Sequence, residues 1–83
     1  MTDRHPNLVK IGKKIREARK NAGFSQEGFA YEVGIARTYM GRVERGEQNI
    51  SIQNLINIAI TLKMEVGALI PPISGLKRRI VRS

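Results

Sequence analysis

Residues 25–46 read Ser25-Gln-Glu-Gly-Phe-Ala-Tyr-Glu-Val-Gly-Ile-Ala-Arg-Thr-Tyr-Met-Gly-Arg-Val-Glu-Arg-Gly46, and this stretch decides the fold. Ser25 suits an N-cap, because its hydroxyl accepts from a backbone N–H that the first turn of a helix leaves free. Glu27 favours the same helix end electrostatically. Phe29, Ala30 and Val33 fall on one face, so a short helix over 26–33 is expected. Gly34 supplies the positive φ that follows it. Ile35 plugs inward, and a second short helix runs from about Ala36 to Glu44 before Gly46 stops it. Small Ala30 lets the two helices approach closely, while Met40 and Val43 anchor the second to the core. Arg37, Thr38, Gly41 and Arg42 are left facing outward.

Upstream, Leu8, Ile11, Ile15, Ala18 and Ala22 alternate steps of three and four, which is one stripe of a helix over 7–22. Gly23 sits where a left-handed residue closes such a helix, and Phe24 is the apolar residue that follows. Downstream, 45–50 is a polar turn. Ser51 then caps a longer helix with Ile52, Leu55, Ile58, Ala59 and Leu62 inward. Ile56 and Ile60 form an i, i+4 pair on the flank away from that stripe, which a monomer leaves in water. With Met64 they are the candidate dimer interface. A brief fifth helix, Val66 to Ile70, must end before Pro71, since a proline biases its predecessor out of the α region. The expected architecture is all-α, a compact five-helix bundle over 7–70, with a flexible amino terminus (1–6) and a weakly structured basic tail (71–83).

A chain of 83 residues has room for one hydrophobic core. It has no cysteine, which removes disulfides, thiolate metal sites and cysteine nucleophiles together. The single histidine, His5, lies in a polar terminus, so no metal ligand set is expected. There is no paired catalytic carboxylate motif and no glycine-rich phosphate loop at a strand–helix junction. No catalytic residue, cofactor or small-molecule ligand is therefore expected. Neither a signal peptide nor a membrane span is visible, and a reducing cytoplasm suits the composition. Fifteen Lys and Arg against seven Asp and Glu leave a formal charge of +8, the profile of a polyanion binder. Charge alone also admits a membrane surface or RNA, although Phe24 with Phe29 and Tyr31 with Tyr39 are spaced for helix faces rather than for a base-stacking sheet. The tail residues Lys77, Arg78, Arg79 and Arg82 read either as added phosphate contacts or as a solvated charge run.

Two short helices across a glycine-containing turn are the plan of a helix-turn-helix, whose second helix can enter the major groove of DNA. The chain also carries, in order, Ile15-Arg-Glu-Ala-Arg19, Ser25-Gln26, Phe29-Ala30, Val33-Gly34, Val43-Glu44-Arg45-Gly46 and Leu55 through Leu62. Over about Leu8 to Ile70 it thus resembles the phage-repressor and Cro-like (XRE-type) helix-turn-helix family. Arg37-Thr-Tyr39, Glu44-Arg-Gly46 and Asn49-Ile-Ser51 look most like the controller proteins of restriction-modification systems. The resemblance implies a lambda-repressor-like DNA-binding domain of bacterial or phage origin.

It also implies roles for particular residues. Gln26, at the amino end of its helix, stands where the family holds a phosphate oxygen, with the free backbone N–H groups assisting. Arg37 is the first candidate for reading a base, since a guanidinium can bind guanine O6 and N7 bidentately; the alternative is a phosphate contact only. Thr38 can bond a base edge or touch a thymine methyl, and Tyr39 either reaches a phosphate or only packs. Arg42 departs from the controller proteins, which more often carry glycine there, and it can add a base or phosphate contact. Gln48 replaces an arginine that in those relatives reaches DNA, so the backbone contact there is either weakened or changed to an amide one, with Asn49 still touching the backbone; simple turn chemistry is the alternative for both. The family pairs the positions of Arg19 and Glu44 as an internal salt bridge.

The function these readings point to is a sequence-specific transcriptional regulator. It would bind double-stranded DNA as a homodimer on a pseudo-palindromic operator and act by blocking or contacting RNA polymerase. The alternative is the DNA-binding antitoxin of a toxin–antitoxin pair, for which the tail after Pro72 would be the docking segment.

Overall fold

Ser25 and Ser51 begin their helices by the same device. The Ser25 hydroxyl accepts from the Gly28 N–H at 3.0 Å, and the Ser51 hydroxyl from the Asn54 N–H at 3.1 Å, so each supplies an acceptor that the first helical turn lacks. The computed structural model describes residues 5–78 and contains α1 (Pro6–Asn21), α2 (Gln26–Val33), α3 (Arg37–Glu44) and α4 (Ile52–Leu62). Two 3₁₀ turns follow, Val66–Leu69 and Ile73–Gly75, and no strand occurs among the described residues. The all-α architecture is the one the sequence indicates, with the fifth helix realised as a 3₁₀ turn.

Helix α1 begins one residue before the expected start. Pro6 takes the first helical position, where a missing N–H is harmless, and the His5 imidazole caps the helix by accepting from the Asn7 N–H at 3.1 Å. At the other end Gly23 adopts φ 86°, and the Phe24 N–H returns to the Arg19 carbonyl at 3.1 Å. This closure leaves Ala22 as an exposed cap residue and not the last member of the inward stripe.

Between α2 and α3 the chain turns within Gly34–Ala36. Gly34 has φ 89°, and the N–H groups of Gly34 and Ile35 both donate to the Ala30 carbonyl, at 2.9 and 3.0 Å. The core then gathers one fully buried side chain from each element: Ile15, Phe29, Met40, Ile58 and, from the first 3₁₀ turn, Leu69. Burying an aliphatic or aromatic side chain of this size contributes about 1.5–3 kcal/mol. Phe24 leans on Phe29 with ring centroids 5.3 Å apart.

In α4, Leu55, Ile58 and Ala59 are buried as expected, but Ile52 is 70% exposed. Ile52 shares the face of Leu55 and Ala59, at i, i+3 and i, i+7, but it sits in the first turn, where the bundle does not cover it, whereas Ile56 and Ile60 lie on the outer flank of the helix. The helix closes at Lys63, a non-glycine residue at φ 57°. Ile70 is extended (φ −114°, ψ 131°), as Pro71 requires.

The tail is more structured than its composition indicates. Ile73–Gly75 forms a turn, and the Asn7 side chain then holds Lys77 at both backbone groups, its amide donating to the Lys77 carbonyl at 2.8 Å and its oxygen accepting from the Lys77 N–H at 2.9 Å. The Lys10 ammonium donates to the Gly75 carbonyl. Residues 73–77 are thereby strapped to the start of α1. Arg79, Arg82 and residues 1–4 of the amino-terminal segment lie outside the described residues.

Candidate nucleic-acid interface

The site starts from a glycine. A Cβ on Gly12 would lie 2.8 Å from the Glu44 carbonyl oxygen and closer still to that of Val43, so only glycine lets α1 run against the carboxyl end of α3. That approach brings Arg19 onto Glu44. Its Nε donates to Glu44 Oε2 at 2.7 Å and its Nη2 to Oε1 at 3.1 Å, with both side chains buried. The remaining Nη1 donates to the Phe24 carbonyl at 2.9 Å. The two charges are thus paired and multiply bonded, the condition under which burial of ions is tolerated.

Gln26 joins the same network. Its Nε2 donates to Glu44 Oε1 at 3.1 Å, so the side chain at the start of α2 is oriented by the buried pair and not left free in solvent. On its other side it meets α3. Gln26, Arg37, Thr38, Gly41, Arg42 and Arg45 line a shallow polar depression of about 360 Å³. Four of these six were singled out from the sequence as DNA contacts: Gln26, Arg37, Thr38 and Arg42. Gly41, expected outward, is buried at the floor, because the Arg45 guanidinium and the Gln26 amide oxygen lie over it, 3.0 and 3.6 Å from where a Cβ would be.

Arg45 was missed. It lies four residues after Gly41 and three after Arg42, which places it on the same side of the helix; that spacing was the available signal. Its Nε pairs with Glu47 at 3.1 Å. Arg37 is held more loosely, 3.7 Å from Glu27 with both side chains largely in solvent, and an exposed pair of this kind is worth about 0.2–1 kcal/mol. Both guanidiniums are therefore available to a stronger anion or acceptor.

Three expected contacts lie outside the depression. The Tyr39 ring is half-buried against the core. Gln48 and Asn49 follow Gly46 in the turn before α4, Gln48 half-buried and Asn49 exposed. Ile56 and Ile60 occupy the separate outer flank of α4, where Ile60 is 68% exposed, whereas Met64 follows the helix, beyond its Lys63 cap, and lies beside Leu62 and Glu17. No group of three or more His, Cys, Asp or Glu side chains comes together among the described residues, and no single helix there is long and apolar enough to cross a membrane.

A family model described as helix-turn-helix matches residues 15–69. The uncharacterized HTH-type transcriptional regulator YazB of Bacillus subtilis is 38% identical over 61 residues, covering 74% of this chain and 88% of YazB. Among solved structures, the restriction-modification controller protein C.AhdI from Aeromonas hydrophila superposes with a TM-score of 0.73 and 44% identity, over 75% of this chain and 94% of C.AhdI. The master regulator for biofilm formation SinR, in its crystal structure with DNA, superposes with a TM-score of 0.69 and 37% identity, over 71% of this chain and 95% of that one.

Proposed function

Since this chain belongs to the helix-turn-helix family whose model spans residues 15–69, we propose that it is a DNA-binding transcriptional regulator acting as a homodimer on a pseudo-palindromic operator. The observation that carries this reading is the depression in which α3 presents Arg37, Thr38 and Arg42 beside Gln26 and Arg45. A recognition helix needs donors that project beyond its own backbone into the major groove, and arginine there reads guanine bidentately. In this reading Arg37, Thr38 and Arg42 meet base edges. Gln26, with the free N–H groups of the first turn of α2, holds a phosphate and so fixes the depth of α3 in the groove. Tyr39, Gln48 and Asn49, which lie outside the depression, are assigned to the DNA backbone in this reading.

Helix α4 supports the dimeric reading. Ile56 and Ile60 on the outer flank of α4, with Met64 beyond its end, are the surface assigned to the dimer, Ile60 being largely exposed, and in this reading two copies of α3 would lie about 34 Å apart, one turn of B-DNA. Regulation is then positional: occupancy beside a promoter in the cytoplasm of the host excludes RNA polymerase or offers it a contact. The likeness to C.AhdI favours a controller of a restriction-modification system over other regulators of this fold.

Footprinting on the DNA flanking the gene tests this directly, with the wild type and Arg37→Ala compared. Two protected half-sites related by a two-fold axis are expected, lost in the variant while weak, salt-sensitive binding persists. Absence of any protected palindrome for the wild type overturns the operator reading.

A further inference from the structure

A second depression, of about 440 Å³, adjoins the reading surface and is lined by Val9, Lys13, Arg16, Gln26, Glu44 and Arg45. Gln26 and Arg45 line both hollows. Of the charges in the second, Glu44 is already neutralised by Arg19 and has its side chain buried, which leaves three cationic side chains around the opening. Lys13 and Arg16 are an i, i+3 pair on one side of α1 and are both exposed. The adjacent acid, Glu17, does not line this hollow; with Lys14 it lines a separate one, beside Leu62 and Met64. From α1 the hollow beside α3 thus receives two cations and no acid.

We propose that this hollow is a phosphate-binding cleft in which Lys13 and Arg16, with Arg45 between them and the reading surface, hold the DNA backbone of the strand bounding the groove that α3 enters. The proposal rests on the DNA-binding reading above and extends it to α1. The geometry follows from the shared residues. If α3 lies in the groove, the hollow beyond Gln26 and Arg45 faces the sugar–phosphate wall, whose oxygens accept from ammonium and guanidinium groups. Arg45 can turn from Glu47 to a phosphate, because its side chain is more than half exposed while it makes that pair. Contacts of this kind carry affinity without sequence information.

The test uses a mixed-sequence DNA duplex, so that it does not depend on knowing the operator. Binding of the full chain is measured by fluorescence anisotropy across a series of salt concentrations for the wild type, K13Q/R16Q and K14Q. Each phosphate neutralised contributes about 0.9 to the slope of log K against log salt, so K13Q/R16Q is expected to lower that slope by about 1.8 per bound protomer, while K14Q leaves it unchanged. Both substituted residues are exposed, and a matching far-UV melt checks that the fold is kept. A slope for K13Q/R16Q equal to the wild type's overturns the cleft while leaving the DNA-binding reading intact. A slope that K14Q lowers equally also overturns it, since net charge and not position would then be responsible. A wild type with no salt-dependent binding overturns the DNA-binding reading itself.

Discussion

Arg19 and Glu44, twenty-five residues apart in sequence, meet through two hydrogen bonds at 2.7 and 3.1 Å in the interior of the domain. The pair ties α1 to the end of α3, and through Gln26 it also orients the start of α2. One buried carboxylate thus fixes how α1, α2 and α3 meet, and α2 and α3 build the polar depression.

Removing one partner of such a pair leaves the other charged and buried, at a cost of about 3–5 kcal/mol. Domains of this size are commonly stable by only about 5–15 kcal/mol. Glu44→Ala is therefore expected to unfold the chain at markedly lower urea, while Arg19→Met with Glu44→Leu loses less than Glu44→Ala alone because no charge is stranded. Equal urea midpoints for Glu44→Ala and the wild type would show that the pair does not hold the scaffold.

Much of this was legible in the sequence because it depends on local rules. Ser25, Gly34 and Ser51 announce helix ends through capping and positive φ, and the apolar stripe of α1 fixes which side faces inward. Other features depend on contacts between distant segments. Ile52 reads as inward from its spacing to Leu55 and Ile58, yet the bundle offers nothing to cover it. The strap of residues 73–77 depends on Asn7, about seventy residues away, and basic composition alone does not indicate it. Gly12 was passed over, although a glycine inside a helix is a sign of close backbone approach. Within the site, the positions on α3 follow from helix geometry, whereas Arg45 reads as the first residue of the polar turn 45–50, just past the helix end.

Arg37→Lys separates base reading from simple attraction. It keeps the charge and removes the bidentate fork, so it is expected to narrow the gap between operator and random-duplex affinity by about 1–3 kcal/mol with the salt slope preserved. Competition binding on the two duplexes measures the gap. An unchanged gap would reassign Arg37 to a phosphate.

The outer flank of α4 makes a prediction about assembly. Because Ile60 is 68% exposed in the single chain, Ile60→Lys costs the monomer little, whereas at a dimer interface it buries an unpaired charge. Sedimentation equilibrium is expected to show a dimer for the wild type and a monomer for the variant, with the same helical circular dichroism. Operator affinity falls with it, since the second half-site is no longer delivered by the same particle. A variant that remains dimeric would move the interface away from α4.

Gly12→Ala tests how closely α1 and α3 must approach. In an isolated helix alanine is favoured over glycine by about 1 kcal/mol, so a gain is expected if the helix were alone. In this fold the new methyl meets the Val43 and Glu44 carbonyl oxygens, and backbone cannot rotate aside as a side chain can. Overpacking of this kind costs about 1–3 kcal/mol, and here it also pushes Arg19 away from Glu44. The expected outcome is a net loss of stability in urea titration together with weakened DNA binding, because Gln26 loses its oriented partner. A variant as stable as the wild type, or more so, would mean that α1 and α3 can separate without disturbing the pair.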